Sequence, residues 1–231
     1  MSRLQAVADE LWVVGAELRV GGMPLEIRMT VVRRPSGGLI LHSPIEIDDS
    51  LADELAALGP VSDLVAPNRL HHTFVFGAER RYPDATTWAA PGLPDKRRDL
   101  LFDAVLGDDT PPGLADTLET LLFAGAPIAS EVVCFHPRSR TLIVTDLVFN
   151  IQRTGSRLSA AYLRASGAWQ QVAQTPLVRA LVRDRPAARH SLERMFAWDF
   201  DRLIMAHGDI VERDAKRQLA RALAKLAPGL A

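Results

Sequence analysis

The sequence contains one cysteine and no long apolar run, and each absence excludes a class of protein. Cys134 has no second cysteine to pair with, so the chain is not a disulfide scaffold. Because Cys134 lies in an apolar run, we expect a buried thiol in a reducing compartment. No apolar stretch reaches the roughly 18 residues of a membrane helix, and Asp9 and Glu10 precede the first apolar run. We therefore expect a cytoplasmic protein without an export signal or membrane span.

The sequence also lacks an excess of charge of either sign. It has 27 Lys and Arg against 28 Asp and Glu, a formal net charge of −1, and the basic residues are spread along the chain. This pattern argues against a nucleic-acid partner. The partner we expect is a small-molecule substrate. No linker interrupts the 231 residues, so we expect residues 1–231 to form a single domain. The oligomeric state is left open, with a homodimer among the alternatives.

Strand and helix patterns alternate along the chain, which is typical of an α/β fold. Strands are predicted at residues 11–14, 28–33 and 39–42, and the turn at 35–38 predicts a hairpin between the last two. A helix capped by Asp48, Asp49 or Ser50 follows, and a strand at 64–66 then leads into a loop with His71 and His72. The remaining predicted elements are a strand at 86–90, a loop at 107–113, a helix at 114–122, a hairpin of 131–136 with 141–146, helices at about 156–200, a strand at 203–206 and a helix at 211–226.

Polar side chains follow three of these strands at the point where each strand ends. They are the segment from Asn68 to His72, Asp146 after the long hairpin, and His207 after the last strand. Open α/β folds collect ligands at the carboxyl ends of their strands. Imidazole and carboxylate groups are ligands for zinc, iron or manganese, and a bound metal activates water. These residues therefore predict a metal site.

Structural roles are the alternative for each of these residues. A histidine at a strand end commonly caps a loop, and an aspartate there commonly starts a turn. We expect His42, His136 and His190 to be edge or surface residues without a ligand role. The basic run Lys96-Arg97-Arg98 either holds an anionic substrate or is simply solvated.

Several segments resemble the metallo-β-lactamase superfamily, and within it an uncharacterised bacterial branch known as a domain of unknown function. The similarity covers nearly the whole chain, and it is clearest at residues 39–44, 58–72, 139–147 and 206–209. One motif departs from the pattern. The superfamily's His-x-His-x-Asp-His motif is replaced by Asn68-Arg69-Leu70-His71-His72, in which two histidines remain and the aspartate is missing.

The resemblance implies a four-layer αββα sandwich with a site along one edge, holding one or two divalent metal ions, commonly zinc or iron. The bridging carboxylate of that site would be Asp146, and its last histidine ligand would be His207. The histidine that the superfamily normally has just ahead of the long hairpin has no obvious counterpart here, and Glu131 is the nearest polar candidate.

Two functions are compatible with these observations. In the first, the protein is a metal-dependent hydrolase of an ester, thioester, amide or phosphodiester. Its ligands would be His71, His72, Asp146 and His207, with Asp146 and His72 in catalytic roles and Asn68 or Glu131 assisting. In the second, catalysis has been lost and the same pocket binds a small anionic metabolite through Arg69, Lys96 or Arg97. The altered first motif motivates this alternative.

Overall fold

A computed structural model describes residues 3–20 and 23–230, which form two β-sheets with helices packed on their outer faces. The first sheet has seven strands in the order β1 (Gln5–Ala8), β2 (Leu11–Val20), β3 (Met23–Arg33), β4 (Leu39–His42), β5 (Val61–Ala66), β6 (Thr86–Ala89) and β7 (Ala104–Val105). The second has four strands in the order β11 (Arg202–Ile204), β10 (Thr141–Ile143), β9 (Val132–His136) and β8 (Glu119–Leu122). The helices are α1 (Asp49–Leu58), α2 (Val75–Arg81), α3 (Leu93–Lys96), α4 (Arg157–Ala165), α5 (Pro176–Leu181), α6 (Arg185–Ala197) and α7 (Ala215–Leu223).

The two sheets pack face to face because their strands carry apolar side chains on both faces. Successive side chains of a strand point alternately to the other sheet and to the helices. In β9, Val132 and Cys134 join the core between the sheets, whereas Val133 and Phe135 face the opposite way. That opposite face is covered by α6 and α7. On the far side of the first sheet, α1 and α2 cover a separate core. This layer order is the predicted αββα sandwich, which the structure confirms.

Strand direction changes within each sheet. Strands β1 to β4 are antiparallel neighbours, and β4 to β7 are parallel neighbours linked through α1, α2 and α3. In the second sheet, β8, β9 and β10 are antiparallel, and β11 lies parallel to β10. The predicted hairpins of β3 with β4 and of β9 with β10 are both present.

The predicted helix at 114–122 is wrong. Leu114 and Leu118 have helical spacing, but Leu114 lies in a turn and Leu118 directly precedes β8, and both side chains pack in the core between the sheets. Residues Glu119–Leu122 form strand β8 and pair with β9, which satisfies their backbone groups in the sheet. Tertiary pairing therefore overrides the local pattern.

Other boundaries also differ from prediction. Strands β2 and β3 are longer than expected, and the final helix begins at Ala215 because Val211 pairs with Leu203 instead.

His42 and His136 are not edge residues, since they are only 1% and 2% exposed, whereas His190 is exposed as expected. Within residues 3–20 and 23–230, no helix has the length and apolar character needed to cross a bilayer.

Candidate metal centre

Three side chains with metal-binding atoms converge from distant parts of the chain. The Nε2 atoms of His71 and His207 are 3.3 Å apart. His71 Nε2 is 3.4 Å from Oδ2 of Asp146, and His207 Nε2 is 3.2 Å from Oδ1. Among the residues that the structure describes, these three form the one group of histidine, cysteine and acidic side chains close enough to share an ion.

Strand register explains why Asp146 and His207 meet. Strands β10 and β11 run parallel, with Ile143 opposite Ile204. Asp146 and His207 each follow three residues later, so both lie just beyond the same end of the second sheet. This is the carboxyl end of parallel strands, where α/β folds place ligands.

His71 reaches this point because backbone hydrogen bonds connect the two sheets. Its loop follows β5 in the first sheet, and Pro67 O accepts from the backbone N–H of Val132 at the start of β9. Arg69 N donates to Ala129 O two residues further along. The loop therefore lies across the open edge between the sheets, and His71 faces the end of the second sheet.

His207 is held with Nε2 directed at Asp146. Its Nδ1 lies 2.6 Å from the carbonyl oxygen of Glu26, which can only accept, so Nδ1 donates the hydrogen bond. In the neutral ring, the lone pair is then on Nε2. Gly208 makes the adjoining turn possible, because its φ is +86° and a Cβ there would lie 2.2 Å from Asn150 O.

His71 is oriented through its other ring nitrogen and its backbone. Nδ1 is 2.8 Å from the hydroxyl oxygen of Ser43, and the backbone N–H donates to Oδ1 of Asn68 at 2.7 Å. A hydrogen bond at Nδ1 fixes the ring and leaves Nε2 for the centre, as is usual for metal-binding histidines.

Asn68 positions both His71 and Asp146. Its side chain is fully buried; Nδ2 donates to Asp146 Oδ2 at 2.7 Å and to Thr145 Oγ1 at 2.8 Å. Its Oδ1 accepts from the backbone N–H groups of Leu70 and His71. The structure thus places Asn68 behind the three converging side chains, where it connects two of them.

Glu131 holds the backbone that carries Asp146. Its carboxylate oxygens accept from the N–H groups of Thr145 and Asp146 at 2.7 and 2.9 Å. Burial and the charge of Asp146 raise the pKa of the Glu131 carboxyl, while these two donors act against the rise. Glu131 therefore supports the turn after β10, and its oxygens face backbone amides.

The electrostatics of the centre favour a cation. Burial alone would raise the pKa of the Asp146 carboxyl, but the imidazoles of His71 and His207 hold it below its usual range. When the proton of each ring is on Nδ1, two nitrogen lone pairs and a carboxylate face one another. Such an arrangement needs a proton or a metal ion between the acceptors.

The spacing of these atoms fits a metal ion. A tetrahedral ion with bonds of about 2.0–2.1 Å to nitrogen and oxygen holds its ligand atoms about 3.3–3.4 Å apart. The 3.3 Å between the two Nε2 atoms agrees with that value, and each Nε2 lies 3.2 to 3.4 Å from one of the two oxygens of the Asp146 carboxylate. Two imidazoles and one carboxylate also form a ligand set found in catalytic zinc sites.

The structure does not bring His72 to this group. Its Nδ1 accepts a hydrogen bond from Nη1 of Arg97 at 2.8 Å. Burial, and then the positive charges of Lys96 and Arg97, lower the pKa of His72 to about 4. This geometry corrects the predicted ligand set, because of the two adjacent histidines only His71 belongs to the group with Asp146 and His207.

Lys96 and Arg97 lie on the outer side of the same loop. Lys96 Nζ donates to the carbonyl oxygen of Arg69, and Arg97 forms a two-point contact with Asp99 besides its contact with His72. Both residues are thus beside the centre and outside its group of ligand atoms.

Sequence reasoning missed three residues that shape the centre: Ser43, Gly208 and His42. Ser43 follows β4 directly, so the strand-end rule that found Asp146 would have found it too. Gly208 lies in the segment 206–209, but its steric role is visible only from its backbone φ of +86° and the close approach of Asn150 O. Burial, and then the charge of His71, lower the pKa of His42 to about 3, so its ring is neutral.

Solved structures of metallo-β-lactamases share this architecture. A metallo-beta-lactamase from Pontibacter korlensis matches with a TM-score of 0.66 at 15% identity, covering 96% of this chain and 97% of that chain. The FIM-1 enzyme from Pseudomonas aeruginosa, solved in its mono-zinc form, matches with a TM-score of 0.65 at 14% identity, covering 96% and 94%. An Erythrobacter litoralis metallo-beta-lactamase gives 0.65 at 14%, covering 96% and 91%.

The chain therefore has the metallo-β-lactamase fold. Residues 8–166 match the family described as Domain of unknown function (DUF4336), and the chain belongs to that family. No curated protein matches it in sequence.

Proposed function

We propose that the protein is a metal-dependent hydrolase whose centre holds one divalent ion, zinc or iron, on His71, Asp146 and His207. The observation that carries the proposal is the convergence of these three side chains at the edge of the sandwich, where one ligand atom from each lies within 4.8 Å of the other two. The mono-zinc form of the structurally similar FIM-1 enzyme agrees with a site for one ion in this fold.

A divalent ion supplies two things to hydrolysis: it lowers the pKa of water and polarises the carbonyl or phosphoryl group under attack. The chain's own residues prepare the centre. Ser43 and the Glu26 carbonyl fix the rings of His71 and His207, and Asn68 donates to the Asp146 carboxylate. These contacts hold the centre in place before a substrate arrives, which lowers the reorganisation needed during reaction.

The substrate class we propose is an ester, thioester, amide or phosphodiester, because all four are cleaved by attack of water on a polarised centre. The half-buried ring of His72 has no part in this proposal, since its Nδ1 accepts a hydrogen bond from Arg97 and the ring is not in the group at the centre. The role of Asn68 and Glu131 is to position Asp146.

Metal analysis combined with a hydrolysis assay tests the proposal. Protein purified without chelator and reconstituted with zinc, iron or manganese should hold about one ion per chain. It should also hydrolyse 4-nitrophenyl acetate or bis(4-nitrophenyl) phosphate. His207→Ala should lose both properties. The control His190→Ala, which removes an exposed histidine of α6, should keep both.

Absence of metal from the reconstituted wild-type protein would overturn the proposal at its base. If the protein binds stoichiometric metal but hydrolyses no ester, phosphodiester, thioester or amide, the hydrolase is contradicted and the metal site is retained.

A further inference from the structure

A group of positive side chains lies on and against the loop that carries His71. Arg69 precedes His71 by two residues, so their Cα atoms are within about 8 Å. Lys96 Nζ donates to the carbonyl oxygen of Arg69 at 2.6 Å. Arg97 Nη1 is 2.8 Å from Nδ1 of His72, on the same loop. We call Arg69, Lys96 and Arg97 the basic rim.

The charge of the basic rim is only partly compensated. Asp99 accepts from Nε and Nη2 of Arg97. Within residues 3–20 and 23–230, no carboxylate forms an ion pair with Arg69 or Lys96. Burial, followed by the charges of Arg69 and Arg97, lowers the pKa of Lys96. The whole chain has a net charge of −1, yet folding brings Arg69 next to Lys96 and Arg97. Three positive charges are therefore close together despite their mutual repulsion.

Two members of the basic rim keep donors for a ligand. Lys96 is exposed, and its ammonium group has three N–H bonds, of which one is directed at Arg69 O. Arg69 Nη1 donates to Pro127 O, while its Nη2 has no hydrogen-bond partner among the described residues. Arg97 differs, because Asp99 and His72 already occupy its guanidinium.

We propose that Lys96 and Arg69 bind an oxyanion group, a phosphate or a carboxylate, on the substrate that the metal centre hydrolyses. That the oxyanion belongs to a substrate rests on the proposed function, whereas binding of the oxyanion rests on the basic rim alone. Lys96 is held against the loop that carries Arg69 and His71, so donors from two separate segments are available at that loop. Charged hydrogen bonds to an oxyanion are stronger than neutral ones. The bound group would lie next to the centre and orient the bond to be cleaved.

Calorimetric titration with inorganic phosphate and, separately, with acetate tests the binding step. The wild-type protein should bind one of them more tightly, which assigns the phosphate or the carboxylate, and binding should weaken as salt is added. Lys96→Met should weaken that binding about tenfold, the effect expected from losing one charged hydrogen bond. The matched control is Lys225→Met, an exposed lysine beyond α7, which should bind as the wild type does.

The inference is overturned if the wild-type protein binds neither anion, or if Lys96→Met and Lys225→Met weaken binding equally. Lys96 is exposed, so its replacement is not expected to prevent folding, and a thermal unfolding curve for each variant verifies this.

Paired ester substrates separate this inference from the hydrolase proposal. For the negatively charged 4-nitrophenyl monoester of succinate, Lys96→Met should raise KM about tenfold and leave kcat unchanged. For neutral 4-nitrophenyl acetate, neither constant should change. If both esters are cleaved and Lys96→Met affects them equally, the inference fails and the hydrolase stands. If no ester, phosphodiester, thioester or amide is cleaved but anion binding depends on Lys96, the hydrolase fails and the oxyanion site is upheld.

Discussion

Asn68 and Asp146 are 78 residues apart in the sequence, yet Nδ2 of Asn68 donates to Oδ2 of Asp146 at 2.7 Å. Both side chains are buried, with exposed fractions of 0% and 7%. The contact joins the loop after β5 to the turn after β10, so one amide links the two sheets at the candidate metal centre.

Replacing Asn68 tests this link. Asn68→Ala should lower the free energy of unfolding by about 2 kcal/mol, because buried acceptors and the N–H groups of Leu70 and His71 lose their partner. It should also weaken metal binding roughly 10- to 100-fold, as expected when a residue that orients a ligand is lost. Urea unfolding and zinc titration measure the two effects.

Asn68→Asp is the companion variant. It keeps the oxygen that accepts from Leu70 and His71 but replaces the donor facing Asp146 by a second carboxylate oxygen. Metal-free protein should therefore be less stable than wild type, because two buried carboxylates would meet. A variant as stable as wild type would show that the Asn68 amide does not support Asp146.

Gly208 should not tolerate a side chain. Gly208→Ala places a Cβ against Asn150 O in a backbone conformation with φ of +86°. The turn that carries His207 must then shift, and we expect a loss of about 3 kcal/mol or more of unfolding free energy. Thermal and urea unfolding measure it.

Gly77→Ala is the control for that experiment. Gly77 lies inside α2, and a Cβ there meets nothing within 4 Å. Alanine is the better helix former, so this variant should gain about 0.5–1 kcal/mol. Equal losses in the two variants would contradict the steric explanation.

The thiol of Cys134 should be unreactive in the folded protein. Burial, and then the charge of Glu131, raise its pKa to about 12, so almost no thiolate exists at pH 8. Ellman's reagent should modify the folded protein very slowly and the urea-unfolded protein with one thiol per chain. Rapid reaction without urea would mean that the core between the sheets opens readily.

Protonation of His136 should reduce stability in acid. Burial, and then the positive charge of Arg138, lower the pKa of His136 in the folded protein, whereas the ring in the unfolded chain has a pKa of about 6.5. Below that pH the unfolded state binds the proton first. The stability contributed by the neutral ring is thus present above pH 6.5 and is lost as pH falls towards the folded pKa, by up to about 1.4 kcal/mol per pH unit.

Variants isolate the contribution of this ring. His136→Gln should show a smaller loss of unfolding free energy between pH 7.5 and 5 than wild type, and the exposed His190→Gln should show the wild-type loss. Identical pH profiles for His136→Gln and wild type would contradict the assignment.

Local patterns predicted much of the fold. The alternation in β9 and β10, the turn between β3 and β4, and the Asp48 cap of α1 are each visible within a short window of sequence. Residues 119–122 were mispredicted because their structure comes from pairing with β9, which no short window contains.

The candidate centre was predictable only in part, for a similar reason. Asp146 and His207 stand out as polar residues after apolar strands, but their meeting depends on the parallel register of β10 and β11. His71 and His72 are identical neighbours in the sequence. Arg97, 25 residues beyond His72, donates a hydrogen bond to the ring of His72, and that contact exists only in the folded chain.

The adjacent pair His71 and His72 offers the most direct test of the metal centre. Zinc titration of metal-free His71→Ala and His72→Ala, side by side with wild type, compares two neighbouring residues that the structure directs to different partners. The account predicts that His71→Ala loses stoichiometric zinc binding and that His72→Ala retains it. Zinc binding that survives in His71→Ala, or is lost in His72→Ala, would contradict the account.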